Sequence, residues 1–342
     1  MSGNIRGPLF IVGASRSGTK LLRNILNGHS KIGVPLAESH FIPYLVHRFS
    51  SNDLIKDQEL GHLSKVIKQS MFFQSMKRRG VELNSEDIKQ SFSDNSLPEG
   101  IKNFMIRSIE KQEGRELDLT SYWGDKTPSY LEEIQLLKNT FPYSRFVHIV
   151  RDPRARALSA HSAWGADVFI SVDRWRRTVA KSRQIGKEIG SDWMELRYED
   201  LVFEPAVSIK KICEQLSLEF EPQMLELKVP VENLGDQQQT TRKDTRITTN
   251  RAEVWRDELE PKVIRRLDEL GLPEMKDMGY SPLNMGSDLH IPLNFLERYK
   301  GLLKDYWGSF KHHVVTWGVF RGIRHLLWRR RMASITPKDI QK

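Results

Sequence analysis

Apolar residues change their period within the first thirty positions. Leu9, Phe10, Ile11 and Val12 form an unbroken run, as a strand buried on both faces requires. A loop of small residues follows, GASRSGT. From Thr19 the apolar positions take helical spacing, with Leu21, Leu22, Ile25 and Leu26 on one face and Gly28 near the stop. The same rhythm returns at RFVHIV, which predicts a buried strand over Arg145–Val150, and RDPRARALSAHSAWG then predicts a loop and a helix to about Ala163. Trp193 to Tyr198 predicts a third strand, ended by Tyr198-Glu199-Asp200-Leu201. Lys31 to Val34 suits a short strand, and Ala37 to Phe49 a helix. Ser121 to Tyr130 reads as a loop, with Pro128 in the first turn of a helix that runs to about Asn139. Helices are also expected over Val172 to Ile189, with Trp175 turned inward, over Pro205 to Leu216, and over Trp255 to Leu270, closed by Gly271. Strands alternating with helices predict an α/β fold, a mainly parallel central sheet flanked by helices on both faces.

Two stretches interrupt that rhythm. Asn52 to Leu119 is polar and mostly helical, with breaks at Gly80, Ser93 to Gly100 and Gly114, and reads as a helical insertion that covers a site. Leu234 to Asn250 is polar and reads as a mobile loop.

Charge divides the chain further. Its 342 residues carry a formal net charge of +9, and most of the excess lies in the tail, where Ile291 to Arg331 holds nine Lys/Arg against two Asp/Glu. The expected organisation is a domain over 1–290 and a basic C-terminal helical tail over 291–342. His313 to Arg329 plots as an amphipathic helix, with Val315, Val319, Phe320, Ile323, Leu326 and Leu327 on one arc and Arg321, Arg324, His325 and Arg329 outside it. Peripheral membrane contact through 313–329, packing on the body and a homodimer contact all suit such a helix. Nucleic acid does not, because no base-stacking platform accompanies the charge. The single cysteine, Cys213, excludes a disulfide framework and is expected to be a small core residue in a reducing compartment. No apolar run approaches the roughly 20 residues of a membrane span, and no signal-type segment precedes the first strand. The expected location is the cytoplasm, with membrane association through the tail.

The first loop has the architecture that holds a phosphate, with small residues and a helix N-terminus directed at an anion. It is not the nucleoside-triphosphatase motif. Gly13 and Gly18 have the right spacing, but Thr19 precedes Lys20 and Leu21 follows it, so the hydroxyl that would bind magnesium is missing. Arg16 lies inside the loop instead. The pattern suits an anion held by fixed cations, with no metal. In the second strand–loop–helix unit Arg151 follows its strand directly. Ser159, eight residues on, falls about two helical turns in, facing back toward the strand end.

With both loops in view, the chain resembles the sulfotransferases that use 3′-phosphoadenosine 5′-phosphosulfate (PAPS). SRSGTKLL resembles that family's 5′-phosphosulfate loop, and RFVHIVRDPRARALSAH its 3′-phosphate segment. GDKTPSYL resembles the lysine-bearing segment of the Golgi carbohydrate branch, and the loop, Glu38 and Lys126 are similar to tyrosylprotein sulfotransferases, in a bacterial type of the family. The motifs extend from about Pro8 to Tyr198, with a weaker echo at Arg251, Trp255 and Leu259.

The resemblance implies a P-loop-like sulfotransferase fold and PAPS as co-substrate. It implies that Arg16, the amides of Ser17, Gly18 and Thr19, and the Thr19 hydroxyl contact the 5′-phosphosulfate. Lys20, where the family often has a second threonine, either adds charge there or points to solvent. Arg151 and Ser159 would hold the 3′-phosphate, with Arg251 reaching it from the polar loop, and Lys126 would neutralise the sulfuryl group or the bridging oxygen. Sulfuryl transfer asks for positioning and fixed positive charge along an in-line path. The acceptor hydroxyl needs a base, and the tyrosylprotein branch points to Glu38. His40 is the rival. On a regular helix the two would diverge by about 200° and could not both face the site. His161 is a weaker candidate lining residue, and His148 is expected in the core. The acceptor implied is a carbohydrate or lipid-linked molecule, with a peptide tyrosine as alternative. Two other classes stay open: a phosphate-loop nucleotide kinase and a non-catalytic nucleotide-binding adaptor.

Overall fold

The computed structural model describes residues 5–49, 53–227, 246–283 and 289–317. Five strands, β1 (Arg6–Val12), β2 (Ile32–Gly33), β3 (Tyr122–Lys126), β4 (Arg145–Val150) and β5 (Trp193–Arg197), form one parallel sheet in the order β2–β3–β1–β4–β5. The unbroken apolar run of β1 has the expected cause. Phe10 and Val12 enter the core on one face of the sheet, Leu9 and Ile11 the core on the other.

The helices follow in chain order. After β1 comes α1 (Thr19–Leu26), and after β2 comes α2 (Ile42–Arg48). The insertion is α3 (Asp57–Gln69), α4 (Met71–Arg78), α5 (Ser85–Phe92) and α6 (Leu97–Glu113). Between β3 and β4 lie a 3₁₀ turn (Pro128–Glu132) and α7 (Ile134–Thr140). Then come α8 (Pro153–Trp164), α9 (Val168–Ile189), α10 (Tyr198–Phe203), α11 (Pro205–Gln215), α12 (Trp255–Glu258), α13 (Pro261–Gly271), α14 (Glu274–Asp277) and α15 (Phe295–Trp317). The insertion shares the main core. Leu63, Ile67, Phe72, Phe92 and Phe104 belong to the same apolar cluster as Phe10 and Phe146. Trp175 and Cys213 are buried, as expected.

Several expectations need correction. Ser121 to Tyr130 is not a loop: Tyr122–Lys126 is β3, paired with both β2 and β1. Its Gly124, Asp125 and Lys126 hide the strand from an apolar pattern, yet all five residues are buried. The helix expected from Ala37 begins only at Ile42. Glu38 to His40 are irregular, with His40 in the left-handed region at φ 52°. Tyr198 opens α10 rather than closing β5. The helix expected over Trp255 to Leu270 is two, because Pro261 disfavours helical geometry at Glu260 before it. The tail helix starts at Phe295, the amphipathic stretch expected over His313 to Arg329 lies outside the described residues beyond Trp317, and so do residues 234–245 of the polar loop.

Candidate active site

β1 is the middle strand, so its C-terminal end has the end of β3 on one side and that of β4 on the other. The chain reverses its direction of winding here, which in open α/β sheets opens a crevice at the strand ends. Lys126 closes β3 and Arg151 follows β4, so one cation stands on each side of the loop after β1.

That loop is held by two tight positions. Gly18 caps α1 at φ 95°, and a Cβ there would overlap the Tyr198 ring. Arg16 lies in the left-handed region at φ 74°, which costs a side-chain-bearing residue about 1 kcal/mol. From there its Nε–H donates to Ser159 Oγ at 3.1 Å, and its guanidinium lies 5.7 Å from the Trp164 ring. The two loops that were separate in the sequence are therefore in direct contact.

Arg151 binds them from below. It is 6% exposed, with its guanidinium 4.4 Å from the centre of the Tyr198 ring. Nη1 donates to the Arg16 carbonyl at 3.1 Å, and Nη2 to the Arg251 carbonyl. Arg251 thus enters through its backbone, while the residue itself is exposed. Behind Arg151, the Asp152 amide donates to Glu199 at 3.1 Å, and the Tyr280 hydroxyl donates to the other oxygen of that carboxylate at 2.7 Å. The Ser17 hydroxyl and Arg151 Nε–H are among several buried polar atoms with no partner among the described residues. These two belong to the two loops expected to hold anions, where an oxyanion would accept from both. Thr19 is buried in the first turn of α1, and Lys20 is half-buried beside it.

On the β3 side, Lys126 is 1% exposed and donates to Glu38 Oε1. His40 Nε2–H donates to the other oxygen, Oε2, at 3.0 Å, and Nδ1 lies 3.4 Å from Ser129 Oγ. The expectation that Glu38 and His40 must diverge fails because this stretch is not helical. Burial pushes Glu38 up, but the Lys126 ammonium and His40 together hold it well below the usual carboxylate range. Burial pulls Lys126 down to about 8, against Glu38, and Arg23 and Lys20 push the same way as burial. Sequence reasoning missed two cations that bear on Glu38. Arg23, buried in α1, and Arg79, just after α4 of the insertion, are both lowered to about 10, by burial first and by a neighbouring arginine second.

Asp125 was missed as well. It is fully buried and accepts from Ser39 Oγ and from Thr127 Oγ1 at 3.1 Å. Tyr130 Oη lies 2.6 Å from Ser39 Oγ, and the Thr127 hydroxyl also accepts the Ser39 amide at 3.0 Å. This polar cluster fixes Ser39, between Glu38 and His40, against the strand that carries Lys126. The signal was present in GDKTPSY, as polar residues beside two aromatics. His161 is exposed and bonds to the Ala166 carbonyl at 2.8 Å, away from both loops, and His148 is in the core.

The model of the sulfotransferase family matches residues 8–222. The chain belongs to the sulfotransferase family. Among solved structures, this sulfotransferase is similar to the sulfotransferase domain of the Synechococcus PCC 7002 olefin synthase. The TM-score is 0.58 at 21% identity, covering 81% of this chain and 96% of that one. It is also similar to the sulfotransferase domain of the curacin biosynthetic pathway, with a TM-score of 0.53 at 18% identity, covering 81% and 99%. These likenesses support the P-loop-like fold. Among curated proteins it is 22% identical over 220 residues to protein-tyrosine sulfotransferase 1 of Danio rerio, covering 61% of this chain and 53% of the relative. The sulfotransferase thus spans about half the length of that relative. It is also 22% identical over 291 residues to a putative protein-tyrosine sulfotransferase of Caenorhabditis briggsae, covering 82% and 91%.

Proposed function

We propose that this sulfotransferase takes PAPS as its donor and moves the sulfuryl group in line to an acceptor hydroxyl. The observation that carries the reading is the contact between Arg16 and Ser159 above Arg151, which joins both anion loops at the switch point. The unpartnered donors of Ser17 and Arg151 fit an oxyanion ligand there. Arg16, the amides of Ser17 to Thr19 and the Thr19 hydroxyl would hold the 5′-phosphosulfate, with Lys20 adding charge. Arg151 and Ser159 would hold the 3′-phosphate. Arg251 would serve through the carbonyl that orients Arg151.

Lys126 and Glu38 divide the chemistry. Bound at the first loop, PAPS supplies the sulfuryl group, and its sulfur–oxygen bond breaks as the acceptor oxygen bonds to sulfur. Lys126 balances the charge that develops on the bridging oxygen, and Glu38 takes the acceptor proton. The ion pair between them matters. While Lys126 clamps Glu38, the carboxylate is a weak base. Turning Lys126 toward the donor removes that charge from Glu38 and raises its proton affinity at the moment a base is needed. His40 orients the carboxylate from the other side.

For the acceptor we propose a carbohydrate or lipid-linked hydroxyl, supported by the GDKTPSYL segment. A peptide tyrosine is the second reading, favoured by the protein-tyrosine sulfotransferases among the relatives. Thermal shift with 3′-phosphoadenosine 5′-phosphate (PAP) against ATP–magnesium tests the donor. PAP should stabilise the protein, and Arg16→Ala and Arg151→Ala should lose the effect. Stabilisation by ATP–magnesium alone would overturn the reading in favour of a kinase. Labelled PAPS offered to glycan, lipid-linked and tyrosine-peptide acceptors then separates the acceptor classes. Tight PAP binding with no transfer to any of them would indicate a nucleotide-binding adaptor.

A further inference from the structure

α15 packs on the body with the wrong side. An amphipathic helix ordinarily buries its apolar stripe. Here the face turned to the body is made of glycine and charge. Gly301 lies against Ile170 and Asp167, and Gly308 against the backbone of Gly165. Asp305 accepts from the Asp167 amide at 2.6 Å and pairs with Arg174 at 3.3 Å. Glu297 pairs with Arg266 at 2.8 Å, and Arg298 with Asp173 at 3.5 Å.

The opposite face is apolar and open. Phe295 is 82% exposed and Trp307 64%, and Leu296, Tyr299, Leu302, Leu303 and Tyr306 lie between them, all exposed. At 100° per residue these seven occupy an arc of about 140°. Contiguous apolar surface of this kind marks an interaction site. Its edge is cationic: Lys300, Lys304 and Lys311 are exposed along one side. Both acidic residues of α15, Glu297 and Asp305, are engaged with the body. The sequence that continues from the helix, 318–331, holds five arginines and no acidic residue.

We propose that this face of α15 docks on an anionic membrane surface. Aromatic and aliphatic side chains with a lysine border suit the boundary between acyl chains and headgroups, where helices of this type lie flat. Lysines near the surface add attraction to anionic lipid. A second copy packed antiparallel would set one lysine border against the other, whereas an anionic surface complements the border in every orientation, which favours lipid over self-association. The face is also joined to the site. Gly308 touches Gly165, and the neighbouring Trp164 ring lies beside Arg16.

The test is sedimentation of the full chain with vesicles of phosphatidylcholine, with or without phosphatidylglycerol. Binding is expected to the anionic vesicles and to weaken with salt. The double variant Leu303→Glu/Trp307→Glu should lower the bound fraction by about tenfold or more, with its circular dichroism and its response to PAP unchanged. Lys300→Glu/Lys311→Glu changes only exposed residues and should also weaken binding, so the proposal remains testable if the first variant fails to fold. No binding to anionic vesicles would overturn the proposal, as would undiminished binding by both variants. A dimer in sedimentation velocity that Leu303→Glu/Trp307→Glu splits would assign the face to a second copy instead.

Discussion

The Lys126 ammonium donates to the Glu38 carboxylate, joining the end of β3 to the irregular stretch before α2. Each partner therefore shifts the proton affinity of the other. Glu38→Gln keeps the shape and removes the proposed base. A kcat reduced by about 10²- to 10⁴-fold is expected, with PAP affinity nearly unchanged, as single-turnover rates and calorimetry would reveal. A comparable loss in His40→Ala with a mild loss in Glu38→Gln would instead make His40 the base.

The alkaline limb of activity should belong to Lys126. Burial lowers this lysine to about 8, so its charge is lost as pH rises through that value, and kcat/KM, which reports the free enzyme, should fall there. Lys126→Arg keeps a cation at every accessible pH, so the limb should move up or vanish, whatever the drop in absolute rate. An unchanged limb in the variant would assign the titration to another group.

Arg151 should govern nucleotide affinity more than turnover. It braces both loops through the Arg16 and Arg251 carbonyls and stacks on Tyr198. Loss of charge-assisted hydrogen bonds worth about 1.5–3 kcal/mol corresponds to a roughly 10- to 150-fold weaker PAP complex for Arg151→Ala, measured by calorimetry. Arg151→Lys should recover little of it, because a point charge cannot replace the fork.

Gly18→Ala tests the loop itself. The new methyl would overlap the Tyr198 ring at a backbone angle of φ 95°. A stability loss of about 1–3 kcal/mol in denaturant titration is expected, together with a weaker thermal response to PAP.

Asp125 gives the cluster behind the site a pH signature. Burial raises its pKa from 3.8 to about 6, so between those values the native state holds a proton that the unfolded chain has released. Its contribution is complete below about pH 4 and is lost as pH rises through about 6. At full size the loss is about 3 kcal/mol. Subtracting the stability–pH curve of Asp125→Asn from that of the wild type should isolate this slope. A flat difference would mean that Ser39 and Thr127 compensate the charge fully.

The strands β1 and β4 were legible because both are sandwiched between helical layers, which demands uninterrupted apolar residues. Arg16, Arg151 and Ser159 were legible because each sits at a fixed offset from one of those strands. β3 was not legible. A strand ending in Gly124, Asp125 and Lys126 satisfies its polar groups only through Ser39, Thr127 and Glu38, which no local pattern displays. The same limit explains Arg79, which reaches the neighbourhood of Glu38 only because the insertion folds over the sheet.

The sequence by itself determined the alternation of strand, anion loop and helix, since local period and small loop residues depend on the chain alone. Tertiary structure decided that Glu38 and His40 face each other, because the backbone is irregular before Ile42. It decided that Lys126 is clamped, because β3 pairs with β2, after which the chain presents Glu38. It also decided which way α15 turns. Period alone marks an apolar stripe, and only the packing of Gly301 and Gly308 against the body reveals that the stripe points outward.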